Sequence, residues 1–252
     1  MRVLSLACGA VVAAGILAGP VLDAKQKETE TVNRTVPLPD KGTLKLHNFS
    51  GDVHITGTSG KDIVIKAVRR AERSRLDNIK LDISTEGSVV TIEANKKAPD
   101  YRERNENVVE TEFDIQVPAS AHLDVNAFSS EVTVTGVTGP QKLETFSGKI
   151  TVTGAKAAVD VKTFSGGVEI DAVAAGASPD LTAETFSGKI RARLADGAKG
   201  SVRFDSFSGS FESDLPLAFR SSGRGRVSAD LPAGSGATLR FHTFSGDVRV
   251  VK

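Results

Sequence analysis

The chain has 252 residues with a formal net charge of +1, so one large domain or two small ones fit its length, and no net field draws it to nucleic acid or an anionic membrane. It contains 24 Gly, no Trp, one Tyr and one Cys, and past residue 30 it is rich in Val, Ile and Thr in short runs. That composition argues for strands and turns and against a helical bundle.

The first segment has the form of an export signal. Arg2 precedes an apolar run from Val3 to Gly19, Pro20 breaks it, and Leu22-Asp23-Ala24 stands before Lys25. A basic start, an apolar core and a small residue at the cut predict a cleaved signal over residues 1–24 and no stable membrane insertion afterwards, since the run is short for a span. Cys8 comes too early in the run for a lipid-attachment site. The mature chain is therefore expected to carry no cysteine, which removes disulfides and thiolate chemistry and suits an oxidising compartment. Residues 25–35 are expected as a linker.

Residues 36–122 read as a β-rich cap. Ile63-Val64-Ile65, Ile79 to Ile83, Val89 to Ile92 and Phe113 to Val117 are strand-like, and Pro118 closes the last. The charged stretch Arg69 to Arg75 fits a helical turn or two, and Ala98 to Asn107 a polar loop. This region is expected to cover the first edge of a stack built by the C-terminal half of the chain.

From residue 123 to 252 the chain is a repeat. Phe-Ser-Gly recurs at Phe49–Gly51, Phe146–Gly148, Phe164–Gly166, Phe186–Gly188, Phe207–Gly209 and Phe244–Gly246, and Phe128-Ser129-Ser130 is a copy that lacks the glycine. Three residues before each Phe stands an apolar residue: Leu46, Val125, Leu143, Val161, Ala183, Phe204 and Phe241. Four after it stand Val53, Val132, Ile150, Val168, Ile190, Phe211 and Val248. Inward positions therefore fall at odd offsets before the Phe and even offsets after it. A strand cannot change face without an irregularity, so a corner is predicted at Phe-Ser-Gly. The glycine is expected to supply positive φ there, and the Phe, in phase with the following strand, to point inward. Each unit is then strand, corner, strand and looser turn.

A short period with identical corners predicts an all-β fold, a β-solenoid or β-roll-like stack of two-strand coils with ladders about 4.8 Å apart. An antiparallel β-sandwich is the competing architecture. The column two before each Phe reads Asn126, Glu144, Lys162, Glu184, Asp205 and His242, with signs that suit an exposed stacked column. The 37-residue step from Phe207 to Phe244 has room for one decayed unit around Ser221-Ser222-Gly223 and Arg226 to Leu231. The last strand, ending at Arg249-Val250-Val251-Lys252, is expected at a bare edge.

The signal segment, the irregular β-rich region with Val117-Pro118, and tandem units such as Thr145-Phe-Ser-Gly-Lys-Ile-Thr-Val-Thr-Gly154 resemble the bacterial putative-adhesin family, domain-of-unknown-function proteins with β-strand repeats. The resemblance covers roughly residues 35 to 252. It implies a β-solenoid-like fold in the periplasm, at the cell envelope or outside the cell, and it carries over no catalytic residues.

No constellation demands catalysis, a metal or a cofactor. His47, His54, His122 and His242 lack the close spacing of a zinc motif. Serine recurs in nearly every unit, whereas a nucleophile needs one activated copy, so corner hydrogen bonding is its expected role. Asp52 and Asp247 follow glycines, but Lys149 and Lys189 hold the equivalent positions and argue against a calcium ladder. Glu169, Asp171, Arg191 and Arg193 form an outward charged patch that a carbohydrate-active enzyme would use. Aromatics for stacking nucleic-acid bases are absent if the Phe positions are core. The expectation is an exported, non-enzymatic scaffold, adhesion or interaction module. Its expected partners are envelope glycans, envelope proteins or a second copy. A solenoid carbohydrate-active enzyme and a periplasmic partner of an envelope-stress pathway are the alternatives.

Overall fold

The structure is a computed structural model and describes residues 27–101, 108–172, 179–195, 197–231 and 236–252. The expected signal segment and most of the charged loop to Asn107 lie outside the described residues. Residues 28–35, expected as linker, are instead strand, because the alternating Thr-Val-Asn-Arg-Thr-Val run completes a sheet edge.

The elements in chain order begin with β1 (Glu28–Pro37), β2 (Thr43–Ser50), β3 (Val53–Thr58), β4 (Asp62–Ala71), α1 (Arg73–Asn78), β5 (Ile79–Glu86), β6 (Val89–Lys97) and β7 (Glu110–Pro118). The repeats come next as β8 (His122–Ser129) with β9 (Val132–Thr135), β10 (Gln141–Ser147) with β11 (Ile150–Thr153), β12 (Val159–Ser165) with β13 (Val168–Ala172), and β14 (Leu181–Ser187) with β15 (Ile190–Leu194). The last elements are β16 (Gly200–Ser206), β17 (Phe211–Ser213), β18 (Ala218–Gly223), β19 (Arg226–Asp230), β20 (Ala237–Ser245) and β21 (Val248–Val251).

Two sheets face each other. One has ten strands in the order β1-β4-β7-β3-β9-β11-β13-β15-β21-β17, the other eleven in the order β18-β19-β16-β20-β14-β12-β10-β8-β2-β6-β5. Each coil contributes one strand to each sheet, and successive repeats pair in parallel without register shift, as Leu143↔Val161 and Ile150↔Val168 illustrate. The inward columns read from the sequence are the core. Leu46, Val125, Leu143, Val161, Ala183, Phe204 and Phe241 are buried from one sheet, and Val53, Val132, Ile150, Val168, Ile190 and Val248 from the other. This is the stacked-coil architecture, with antiparallel strands confined to the two ends.

Stacking does not follow chain order at either end. The first coil, β2–β3, lies between β6–β7 and β8–β9. The last, β20–β21, lies between β14–β15 and β16–β17. The strand ending at Val251 is thus interior, not the bare edge its position in the sequence suggested. The supposed decayed unit is no coil either. β18 and β19 form an antiparallel hairpin beyond β16, because Arg224-Gly225, with Gly225 at φ +72°, turns the chain straight back. At the opposite end β4 and β1 extend one sheet and β5 the other, all antiparallel. The helical turn begins at Arg73, and Arg69, still in β4, is buried; its guanidinium bonds Glu30 of β1 and the carbonyl of Ile79, tying the cap together.

The corner glycines have a different reason from the one expected. Among the motif copies only Gly51 and Gly148 have positive φ in the left-handed half of the map. What the corners share is close approach. A Cβ on Gly166 would collide with the carbonyl oxygen of Gly148, one on Gly188 with that of Gly166, one on Gly246 with that of Gly188, and one on Gly209 with that of Gly246. Each coil's backbone rests directly on the next. Gly188→Ala, which inserts a methyl where backbone cannot give way, is expected to cost about 3 kcal/mol, read as a lower denaturant midpoint. An exposed change such as Lys189→Ala should leave the midpoint within about 0.5 kcal/mol of the parent.

Candidate interaction face

The motif phenylalanines point outward. The strand before the corner runs on through Phe and Ser, but both are exposed, so the alternation breaks between the ring and the serine. The inward place beside the corner belongs to the residue before Phe: Asn48, Ala127, Thr145, Thr163, Thr185 and Thr243 are all buried. That place is narrow and lined by carbonyls, so a hydroxyl suits it better than a ring. Thr145 donates to the carbonyl of Ser130 (3.3 Å), Thr185 to that of Gly166 (3.3 Å) and Thr243 to that of Gly246 (2.9 Å). Among the described residues these threonines, and not the motif serines, supply the corner's side-chain hydrogen bonds. In the first coil Asn48 replaces Thr and donates to Gly51 and Thr111 carbonyls and to the hydroxyl of Ser130, the residue standing where the second coil lacks its glycine.

The outward rings form one ladder. In spatial order it runs Phe49, Phe128, Phe146, Phe164, Phe186, Phe244, Phe207, with centroids 4.6–4.9 Å apart. The planes are within 6° of parallel except between Phe49 and Phe128, where they differ by 18°. The first six rings are 42–46% exposed and Phe207, at the end, 77%. The coil spacing fixes this distance, since strands pair 4.7–4.9 Å apart. Each ring covers its neighbours' faces, so the ladder presents ring edges to solvent.

Beside the ladder run charged columns. Two residues before the rings lie His47, Asn126, Glu144, Lys162, Glu184, His242 and Asp205, aligned across the strands. Lys162 pairs with Glu184 at 3.5 Å, and Asn126 donates to Glu144 at 3.5 Å. One column further, Lys45, Asp124, Lys142 and Asp160 alternate in sign. The hydrogen bond to Glu144 raises the pKa of Lys142, and Asp124 and Asp160 add to this. Ladder and charges together line a shallow open groove of about 530 Å³ that includes Phe128, Phe146, Phe164, Phe186, Phe244, Lys162 and His242.

The other sequence candidates are dispersed. His47 and His242 share a column but lie five strands apart, roughly 24 Å. Among the described residues no three His, Cys, Asp or Glu side chains gather as a metal site. Asp52 and Asp247 accept hydrogen bonds from the neighbouring coil. Asp52 accepts the amide of Glu131 (3.3 Å) and Asp247 the amide (3.1 Å) and hydroxyl (2.7 Å) of Ser210, each reaching one coil along the stack. On the far sheet Glu169 and Asp171 align with Arg191 and Arg193. Lys149 holds Glu169 at 2.7 Å and Arg193 holds Asp171 at 3.2 Å, so both acids are spent in cross-strand pairs on an open surface. The rings expected in the core are instead exposed beside basic residues such as Lys162, with their faces covered by one another.

A profile of the Toastrack DUF4097 family matches residues 35–251, and the chain belongs to that family. Among solved structures it is similar to a putative cell adhesion protein from Clostridium sporogenes, with 12% identity, TM-score 0.50, and coverage of 90% of this chain and 99% of that one. Putative adhesins from Bacteroides fragilis (10% identity, TM-score 0.42, coverage 88% and 97%) and Parabacteroides distasonis (11%, 0.34, 87% and 97%) also align. No curated protein matches by sequence. The first of these similarities supports the fold. Among the described residues no helix is long and apolar enough to cross a membrane.

An interior rung touches two neighbours and an end rung one. Phe164→Ala is therefore expected to lose about 1–3 kcal/mol and Phe207→Ala roughly half that, measured by denaturant unfolding. Ser210's hydroxyl and amide hold the Asp247 carboxyl below its ordinary pKa. A depressed carboxylate pKa contributes stability above the unfolded value that is lost as pH falls through the folded one. Acidification from about pH 5 to about pH 2 should lower the melting temperature of the parent more than that of Asp247→Asn.

Proposed function

We propose that the protein is an exported, non-enzymatic scaffold of the cell envelope whose working surface is the phenylalanine ladder and its flanking charge columns. The observation that carries this reading is the ladder itself: seven aromatic rungs that stack on one another and still leave one contiguous apolar row at the surface. The rigid stack holds them at fixed spacing, so little ordering is required on contact. Because the rings offer edges and not faces, the groove suits aliphatic side chains of an envelope protein better than sugar rings, which stack on aromatic faces. Lys162, Glu184 and His242 then set register by charge. The enzyme alternative is disfavoured by the pairing of Glu169 and Asp171 with Lys149 and Arg193.

Residues 25–252, immobilised, should retain an envelope protein saturably from envelope extract without releasing glycan fragments. The triple variant Phe146→Ser, Phe164→Ser, Phe186→Ser, checked for folding by circular dichroism, should weaken retention by at least about tenfold. Retention that ignores the ladder variant overturns the choice of surface. Released sugar products would overturn the scaffold reading and move attention to Glu169 and Asp171.

A further inference from the structure

The two sheets end unevenly at the pole formed by β16 and β17. The ten-stranded sheet stops at β17, a three-residue strand that pairs only with β21. The eleven-stranded sheet continues two strands further, through β19 to β18. Nothing among the described strands stands opposite that overhang. The inner face of the overhang carries Phe219, 60% exposed and paired opposite the buried Ala229, while Phe207, 77% exposed, ends the outward ladder beside it. Phe211, Leu215 and Leu217 beside them are only partly covered. At the opposite end of the ladder Phe49 is no more exposed than an interior rung, so the open end is confined to this pole.

The charge at the step is split. Glu212 and Asp214 line the β17 side, and Arg220, Arg224 and Arg226 the overhanging hairpin. Asp214, Arg220 and Arg226 have partners within the chain. Glu212 and Arg224, of opposite sign, have none among the described residues.

We propose that this pole is a homodimer interface in which two copies meet as a lap joint. A two-fold axis parallel to the strands and midway between the sheets brings the short sheet of one copy to the long sheet of the other. The overhanging β18–β19 hairpin of each then fills the step of its partner, and the second copy's β18 lies along the free edge of β17. Such a contact is self-complementary and closes at two. It supplies partners to the unpaired edge, covers Phe219, and sets the acidic lip against the basic hairpin. A two-fold perpendicular to the sheets would instead oppose step to step and leave the gap open, so the shape selects one symmetry. This surface is separate from the groove proposed to bind envelope protein, and Phe219 is no part of the ladder.

Sedimentation velocity from about 1 to about 200 µM should show a reversible monomer–dimer equilibrium. Amides of β17 and β18 should gain protection from hydrogen exchange as concentration rises. Phe219→Asp, a change at an exposed site, should raise the dissociation constant by at least about tenfold and abolish that gain, with the circular dichroism spectrum unchanged. A single monomeric species throughout the range overturns the proposal. So does a dimer that survives Phe219→Asp, or one whose protected amides lie elsewhere.

Discussion

Everything in this fold depends on how closely one corner sits on the next. Parallel strands stack at a fixed spacing, and at every corner but that of the second coil, where Ser130 stands, this spacing leaves room for backbone and a hydrogen atom but no side chain. Glycine meets this at Gly166, Gly188, Gly209 and Gly246 by presenting nothing to the carbonyl before it. Once corners touch, the rest is dictated. The residue before Phe must fit a narrow place, and in four coils it is a threonine whose hydroxyl donates to a carbonyl of the corner. The ring has no space inside and turns out. Outward rings at the coil spacing must then stack on one another.

The surface chemistry is a by-product of the same repetition. A column in which every coil places a residue at one offset is a row of like positions, and like charges there would repel. The alternation of Lys45, Asp124, Lys142 and Asp160, and of Glu144, Lys162 and Glu184, removes that repulsion while leaving each pair exposed and individually worth little. The columns therefore contribute modestly to stability and strongly to the pattern a partner would meet. The aromatic row differs: its rungs attract one another, so it can be both stabilising and exposed.

Period-two alternation was enough to place the core, since Leu143, Ile150 and their equivalents depend only on local parity. The parity switch also located the corner. It did not say on which side of the switch the Phe falls, because one residue either way satisfies the same alternation; the run of small hydroxyl residues Thr145, Thr163 and Thr185 was the signal that did. Stacking order was not legible. Phe244 comes 37 residues after Phe207, and nothing in periodicity shows a strand slipping back between two earlier coils, which only pairing partners decide. The hairpin β18–β19 is hidden for a related reason: its Arg226 to Asp230 strand keeps the alternation of a repeat while its direction is reversed. The bonds of Asp52 to Glu131 and of Asp247 to Ser210 were not legible either, because they require the neighbouring coil to be known.

Near each end of the stack one coil is inserted out of chain order, and this limits how such a protein can change in length. β2–β3 is locked between β6–β7 and β8–β9, and β20–β21 between β14–β15 and β16–β17. A unit gained beside either inserted coil would have to displace a coil already held on both sides. A unit gained among β8 to β15, where chain order and stacking order agree, needs only a copy of its neighbour. Relatives with longer or shorter stacks should therefore differ by whole corners in that middle run, with both inserted coils carried along unchanged, and duplication of the eighteen-residue segment beginning at Gln141 is the simplest route to a taller one.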